Sequence, residues 1–547
     1  MNSLKPMLLT SLKSYDRTQF VKDVTAGIIV AIIALPLSIA LALASGVGPE
    51  AGIFTAIVAG FVISALGGSS VQIAGPTAAF ATIVAGIVAK DGLDGLVIST
   101  ILAGIFLILM GLCHFGSLIK FIPYTITTGF TSGIAVTIVI GQLKDFFGVT
   151  YPDGVKPIET TEKFKAFIEN ISTMNTAALI VGIVSLAILI ISPVIFKKIP
   201  GSLIAVIVGI LMVKFLPLKV STIGNLYTIS NSLPAFHLPA LNLHIIENAL
   251  PNAFTIAVLA AIESLLSCVV ADGMINGKHR SDMELVAQGA GNIASALFGG
   301  IPATGAIART AANIKNGGRT PVAGMVHSIT LVIVLVVLMP FAGMIPMPTI
   351  AAILFIVAYN MCQWRTFIHL IRTAPKSDII VLFATFILTI LFDLVVAIEI
   401  GMVLACLLFI KRMSEETHVD GWTYVDDDSD AVNDHMQKLA KEIRVYEITG
   451  PLFFGAADAI EHIVVKDFTT CLVLRMRSVP AIDSTAMNAL FNLTKVCENK
   501  GITLVFSHVN EQPMKVMEKA GFVELVGREN FCPNISAALA HAEEISI

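Results

Sequence analysis

Apolar residues run almost without interruption from Val24 to Met413, divided at intervals by Gly, Pro or a short charged loop. The breaks give fourteen segments, at about 24–45, 51–67, 76–89, 93–115, 122–142, 176–196, 202–216, 248–271, 286–299, 303–315, 321–339, 344–362, 378–392 and 394–413. Several are shorter than the ~20 residues that cross a bilayer as one helix, most clearly those led by Pro76 and Pro302. After Met413 the pattern changes. ITGPLFFGAADAIE (448–461) reads as strand, turn and helix start, and CLVLRMRSVPAIDSTAMNALFNL (471–493) as strand, loop and helix. GITLVFSHVN (501–510) reads as a strand, and VMEKAGFVE (516–524) as a helix stopped by Gly. A βαβαβα order predicts a small sheet with helices on one or both faces. The expected domains are an N-terminal segment 1–23, a transmembrane domain 24–413, a linker 414–439 and an α/β domain 440–547.

Charge sharpens this division. Residues 1–413 carry 24 Lys/Arg against 18 Asp/Glu, a net of +6, whereas residues 414–547 carry 11 against 21, a net of −10. With 55% hydrophobic and 14% charged residues, against about 25% charged in ordinary soluble proteins, the chain is not a soluble enzyme, a nucleic-acid binder or a disordered protein. A polytopic membrane protein followed by an acidic soluble domain remains. Seven cysteines show neither CxxC nor Cys/His metal spacing and read as reduced thiols. There is no Walker A segment, no GxSxG and no metal cluster, so neither an enzyme, an ATP-driven pump nor a cofactor is expected. The basic start (Lys5, Lys13, Arg17, Lys22) runs into the first apolar segment without a cleavable signal.

With the N-terminus in the cytoplasm and fourteen alternating spans, the inner loops hold Lys120, Lys197, Lys198, Lys278, Arg280, Lys315, Arg319, Arg365, Arg372, Lys376, Lys411 and Arg412. The long outer loop 144–175 has four Lys against five acidic residues, and 217–245 has one Lys. The positive-inside rule therefore predicts an even span number with both termini cytoplasmic, in the inner (plasma) membrane and in contact with its lipid.

Two segments resemble each other at a separation of 226 residues: AGPTAAF (74–80) and GIPATGAIART (300–310). Each places a Pro before a short, small-residue helix, third in its half of seven spans, after a Gly-rich extended stretch. Interrupted short segments at matching positions in two halves signal an inverted repeat and point to its substrate site. A helix that starts in mid-membrane leaves its first N–H groups unpaired and carries about half a positive charge there, so two such ends form an anion site. The expected lining is Pro36, Ser38, Thr77, Ala78, Ala79, Thr304, Gly305, Ala306 and Arg309. Glu263 lies in mid-span, and the 226-residue offset sets it opposite a break at Pro36-Leu37-Ser38. Intramembrane ionisable residues mark ion pathways or internal pairs. Glu263 is the candidate proton carrier, with a Glu263–Arg309 ion pair as the structural alternative; sodium is the alternative ion, with Ser267 one turn on as a second ligand. Asp393 and Glu399 read as structural.

These residues resemble the sulfate permease family of anion transporters, which includes prestin and pendrin. The most specific stretch is AIESLLSCVVADGMINGKHRSDMELVAQGAGNIASALFGGIPATGAIARTAANIKNGGRTPVAGMVHS (261–328), supported by GFTSGIAV (129–136) and AGPTAAF. The resemblance implies seven-plus-seven inverted repeats, a core moving against a gate like an elevator, and homodimers. ALPLSIALALASGVGPEAG, the IESLL–DGM–KH run and the AIART–AAN run are most similar to the bacterial branch of the aerobic C4-dicarboxylic acid transporter. That branch implies proton-coupled dicarboxylate uptake. Sulfate or bicarbonate transport, proton or sodium coupled, is the alternative, and an anion sensor or channel signalling through the tail is another. Many sulfate-type members have Gln after the first-span Pro, where this chain has Leu37. The tail resembles the sulfate transporter and anti-sigma-factor antagonist (STAS) domain. In the antagonists the Ser of the loop matching Ile482-Asp483-Ser484-Thr485 is phosphorylated, which implies Ser484 as a regulatory site and a cytoplasmic partner protein; Asp483 and Ser484 also fit a plain helix N-cap.

Overall fold

The computed structural model describes residues 4–117, 123–152, 157–195, 200–216, 218–229, 232–239, 243–392, 394–421, 442–461, 463 and 468–546. Lys120, Lys197, Lys198, Asp393 and most of the expected linker lie outside the described residues.

The apolar run forms helices α1 (Arg17–Ala44), α2 (Pro49–Leu66), α3 (Ala78–Leu112), α4 (Tyr124–Phe147), α5 (Thr176–Ile195), α6 (Gly201–Phe215), α7 (Leu243–Ile275), α8 (Ser281–Leu297), α9 (Ile307–Lys315), α10 (Val322–Ala342), α11 (Met347–Cys362), α12 (Trp364–Thr373), α13 (Lys376–Leu391) and α14 (Leu394–Glu415). Two short strands interrupt them, β1 (Ala74–Gly75) and β2 (Thr304–Gly305). Helix α3 holds two of the predicted segments, because Gly92 breaks it at φ 70°, ψ −169°, a region open essentially to Gly alone. With α3 counted as two and the surface helix α12 set aside, fourteen helical segments stand where the apolar pattern places them.

Three details differ from the sequence expectation. Helix α1 begins at Arg17, capped by Asp16 accepting from Gln19 N–H at 2.7 Å, so the end of the expected N-terminal segment belongs to the first membrane helix. Pro36 does not interrupt α1, which runs through it; one ring costs a backbone hydrogen bond, and packing on neighbours restores the rest. Residues 363–373, expected as a loop, form α12.

The helices pack in two groups. One comprises α1, α2, α3, α7, α8, α9 and α10; the other comprises α4, α5, α6, α11 and α13. Small residues bring backbones together in the first group. A Cβ on Gly104 would strike the Gly289 carbonyl and a Cβ on Gly289 the Gly104 carbonyl, so α3 and α8 touch main chain to main chain, as small-residue interfaces in membranes allow.

The tail is a five-stranded sheet in the order β3 (His418–Gly421), β4 (Ile443–Thr449), β5 (Cys471–Ser478), β6 (Thr503–Ser507), β7 (Phe531–Cys532), parallel except for β3. Helices cover both faces. α15 (Ser484–Asn499) and α16 (Glu511–Lys519) pack over Leu472, Leu474, Leu504 and Phe506, and α17 (Ile535–Ser546) packs over Val445, Val473 and Val505. The alternation of these side chains along β5 follows from the two-residue strand period. β3 lies in the stretch expected as linker and instead forms the sheet edge. Burial pushes the Cys471 thiol up to about 12 and that of Cys497 up to about 11, so both remain protonated core residues.

Candidate functional site

The two Pro-led stretches meet. β1 and β2 pair antiparallel, Ala74 opposite Gly305 and Gly75 opposite Thr304. Because the strands run in opposite senses and each leads directly into a helix, α3 and α9 leave the crossing in opposite directions with both N-termini at it. Neither N-terminus is capped by its own N-cap side chain, Thr77 or Ala306. The first turns therefore keep unpaired N–H groups, which is the arrangement that holds an anion. The second helix starts at Ile307, later than Pro302 suggests, because residues 304–305 are drawn into the strand.

Side chains from three helices hold the crossing in place. Ser264 of α7 donates or accepts with Thr304 Oγ1 at 2.5 Å, and its oxygen accepts Gly305 N–H at 3.1 Å. Asn292 of α8 clamps Ala303 at both ends, donating to its carbonyl at 2.9 Å and accepting its N–H at 2.8 Å. Thr310 of α9 accepts Ile73 N–H at 3.1 Å, and Asn313 donates to the Val71 carbonyl at 2.9 Å. Buried Glu284 accepts the N–H groups of Gly68 and Ser69, at 2.9 and 3.1 Å. Backbone in mid-membrane must be satisfied by protein, and these residues satisfy it. Along the sequence their one signal is polar residues spaced i, i+4 within a helix, as in Glu284, Gln288 and Asn292.

The charged pair proves to be two separate contacts. Glu263 accepts a hydrogen bond from Thr77 Oγ1 at 2.9 Å. Thr77 thus spends its hydroxyl on Glu263 rather than on capping α3. Arg309, 1% exposed, donates through Nη2 to Ser38 Oγ at 3.2 Å and to the Pro76 carbonyl at 3.3 Å. Its Nε and Nη1 have no hydrogen-bond partner among the described residues, and no ion pair there joins Glu263 to Arg309. The structure thus brings together Ser38, Thr77, Glu263 and Arg309 around the crossing, and it is Arg309, rather than Glu263, that reaches the Pro36–Ser38 turn of α1. Ala78, Ala79, Thr304, Gly305 and Ala306 are buried against protein, while Ile307 and Ala308 are exposed. Ser267 is buried, with its hydroxyl unpaired among the described residues. Glu399 is exposed.

A profile of the sulfate permease family matches residues 20–385, and one of the STAS domain matches residues 437–538. The chain belongs to the sulfate permease family and is an anion transporter rather than an enzyme. It is 39% identical over 538 residues to "Putative sulfate transporter YvdB" of Bacillus subtilis (strain 168), covering 95% of this chain and 97% of that protein. It is 31% identical over 538 residues to the bicarbonate transporter BicA of Picosynechococcus sp., covering 95% and 94%. Among solved structures, murine Slc26a9, an anion transporter in the inward-facing state, superposes with a TM-score of 0.87 at 19% identity over 99% of this chain and 94% of that chain, a likeness of fold. The transmembrane domain of BicA superposes at 0.62, with 29% identity over 72% of this chain and 98% of that domain.

Proposed function

We propose that the chain is a secondary active transporter of the inner membrane that takes up a small inorganic oxyanion, bicarbonate or sulfate, together with a proton. The observation that carries this reading is the β1–β2 crossing, which sets two uncapped helix N-termini beside the buried guanidinium of Arg309. The relatives are named for sulfate and bicarbonate, so inorganic oxyanions replace C4-dicarboxylates as the favoured substrates. Leu37 offers no polar side chain next to Pro36, which favours the smaller, monovalent anion. A competition panel in proteoliposomes, with labelled bicarbonate, sulfate and fumarate at two pH values, tests this; saturable uptake of fumarate alone overturns it.

The expected lining is the crossing itself: Pro36, Ser38, Thr77, Ala78, Ala79, Thr304, Gly305, Ala306 and Arg309, with the backbone N–H groups doing more than the small side chains. Glu263 couples this site to the driving ion. Ionised, it repels an anion bound at the same helix ends; a proton removes that repulsion, so proton and anion favour each other by linkage. Sodium, with Ser267 as a further ligand, would compensate the charge in the same way. Glu263→Gln keeps the shape and the acceptor for Thr77 while removing the titration. The expected result is loss of pH-gradient-driven accumulation with anion exchange retained. A Gln variant that still concentrates the anion under a pH gradient removes Glu263 from this role, and sodium-dependent, pH-independent uptake moves the coupling to Na+.

The packing into two helix groups supports an elevator in which the first, which contains the whole crossing, moves against the second. In the tail, Ser484 is exposed in the first turn of α15, on a groove of about 630 Å³ that Lys515 and Lys519 also line. A phosphate on Ser484 adds up to two negative charges at a helix N-terminus, a switch for a cytoplasmic partner and for homodimer assembly. Truncation after Met413 should leave anion binding intact and lower transport or change assembly; unchanged uptake and unchanged oligomeric state would remove the tail from both roles.

A further inference from the structure

We propose that α12 is an in-plane interfacial helix that gathers anionic phospholipid headgroups at Arg365, Arg372 and Lys376. At 100° per residue, Trp364, Phe367, Ile368 and Ile371 share one face, and Arg365, His369 and Arg372 form a stripe along its flank. An apolar face edged by cations is the pattern of a helix lying in the headgroup zone, its cationic heads reaching outward to phosphate. The placement fits: α12 connects α11 to α13, two segments of the apolar run, at the membrane end where the cationic loops fall.

Contacts hold it against α13 and leave part of it open. Phe367 packs on Phe383 and Phe386 of α13, with ring centroids 5.8 and 5.3 Å apart, which holds α12 against the bundle. Trp364 and Ile368 stay 41% and 38% exposed. Trp364 Nε1 donates to Tyr359 Oη at 3.0 Å, and Tyr359 is itself exposed, so two amphipathic rings stand together where aromatic belts mark the interface. Arg365 lies over the Trp364 ring, 5.5 Å from its centroid. No acidic residue occurs from Gln363 to Ser377, and no ion pair of Arg365, Arg372 or Lys376 is found among the described residues. Cations beside an exposed apolar face match a charged lipid; a free phosphate would use the charges and leave the face uncovered.

The chain contains two tryptophans, Trp364 and Trp422, so Trp422→Phe makes Trp364 the sole reporter in the full-length protein. The variant is reconstituted into mixtures of phosphatidylcholine and phosphatidylglycerol with bromine on the acyl chains of one lipid or the other. Each basic residue near an anionic surface strengthens attachment about fivefold. At equal mole fraction, brominated phosphatidylglycerol should therefore quench Trp364 as if bound at least about fivefold more tightly than brominated phosphatidylcholine. Adding Arg365→Gln, Arg372→Gln and Lys376→Gln should bring the ratio to about one while quenching itself persists. Equal quenching by the two lipids before these residues are changed overturns the proposal. So does an absence of quenching by either, which would place Trp364 in water.

Discussion

Arg309→Gln should cut uptake by about two orders of magnitude. The guanidinium is fully enclosed, and only Nη2 is used, on Ser38 and the Pro76 carbonyl; Nε and Nη1 are free of protein partners among the described residues. Burying a cation without an opposite charge is among the most expensive arrangements in a protein, and more so in a membrane. An anion bound at the two helix ends, as proposed, would recover that cost by supplying the charge and accepting the spare donors. A hydrogen bond to a charged group contributes about 1.5–3 kcal/mol. Losing the charge and one such bond therefore predicts a drop of roughly 100-fold in kcat/KM. Arg309→Lys keeps the charge and loses the fork, so it should fall between. Initial rates in proteoliposomes measure both. A second readout separates binding from damage: bicarbonate or sulfate should raise the unfolding temperature of the unmodified protein, as any ligand of the folded state does, and leave that of Arg309→Gln unmoved. A Gln variant with the original KM would show that the anion does not use Arg309.

Much of this architecture is legible along the chain because membrane helices advertise themselves by length and by loop charge. The matched segments at Pro76 and Pro302 locate the crossing for the same reason: Pro and Gly in an apolar run have few other uses. What stays hidden depends on contacts between distant residues. Ser264 is indistinguishable from any small polar residue until β2 is laid against it, and Asn292 acquires its purpose only from the backbone of Ala303. The start of α9 shifts to Ile307 because a two-residue strand has no period to read. Pro36 looks like a break in sequence and is a continuous helix in the structure, since one lost hydrogen bond does not end a helix packed on its neighbours. Arg365 and Arg372 make residues 363–373 look like a loop when periodicity is sought over bilayer-spanning lengths, although over ten residues the amphipathic pattern is complete. In the tail, His418–Gly421 is too short and polar to read as a strand, and its place in the sheet follows from pairing with β4.

Gly305→Ala should be as damaging as any change at the site, and the damage should be reversible by a second substitution. A Cβ on Gly305 would overlap the side-chain amide of Gln72, and one on Gly75 would overlap Nη1 of Arg309. The crossing strands are thus held between two polar side chains, with no room for a methyl on either. Gln72 cannot swing aside easily: it is buried, and its oxygen accepts from the Cys268 thiol. Overpacking of this kind costs about 1–3 kcal/mol, and here the strain falls on the two residues that aim both helix N-termini. We expect Gly305→Ala to lower the unfolding temperature in detergent and to abolish uptake. Gln72→Ala alone should be milder, since its Nε2 has no partner among the described residues. Combined with Gly305→Ala, it removes the obstacle, so the double variant should be more stable and more active than Gly305→Ala, with a coupling energy within the ~0.5–3 kcal/mol seen for residues in contact. The same Gln72→Ala change should not rescue Gly75→Ala, whose obstacle is Arg309. Additive effects in the first pair, or rescue of both glycine variants alike, would show that Gln72 does not press on Gly305 and that the crossing tolerates a wider geometry than the strand pairing implies.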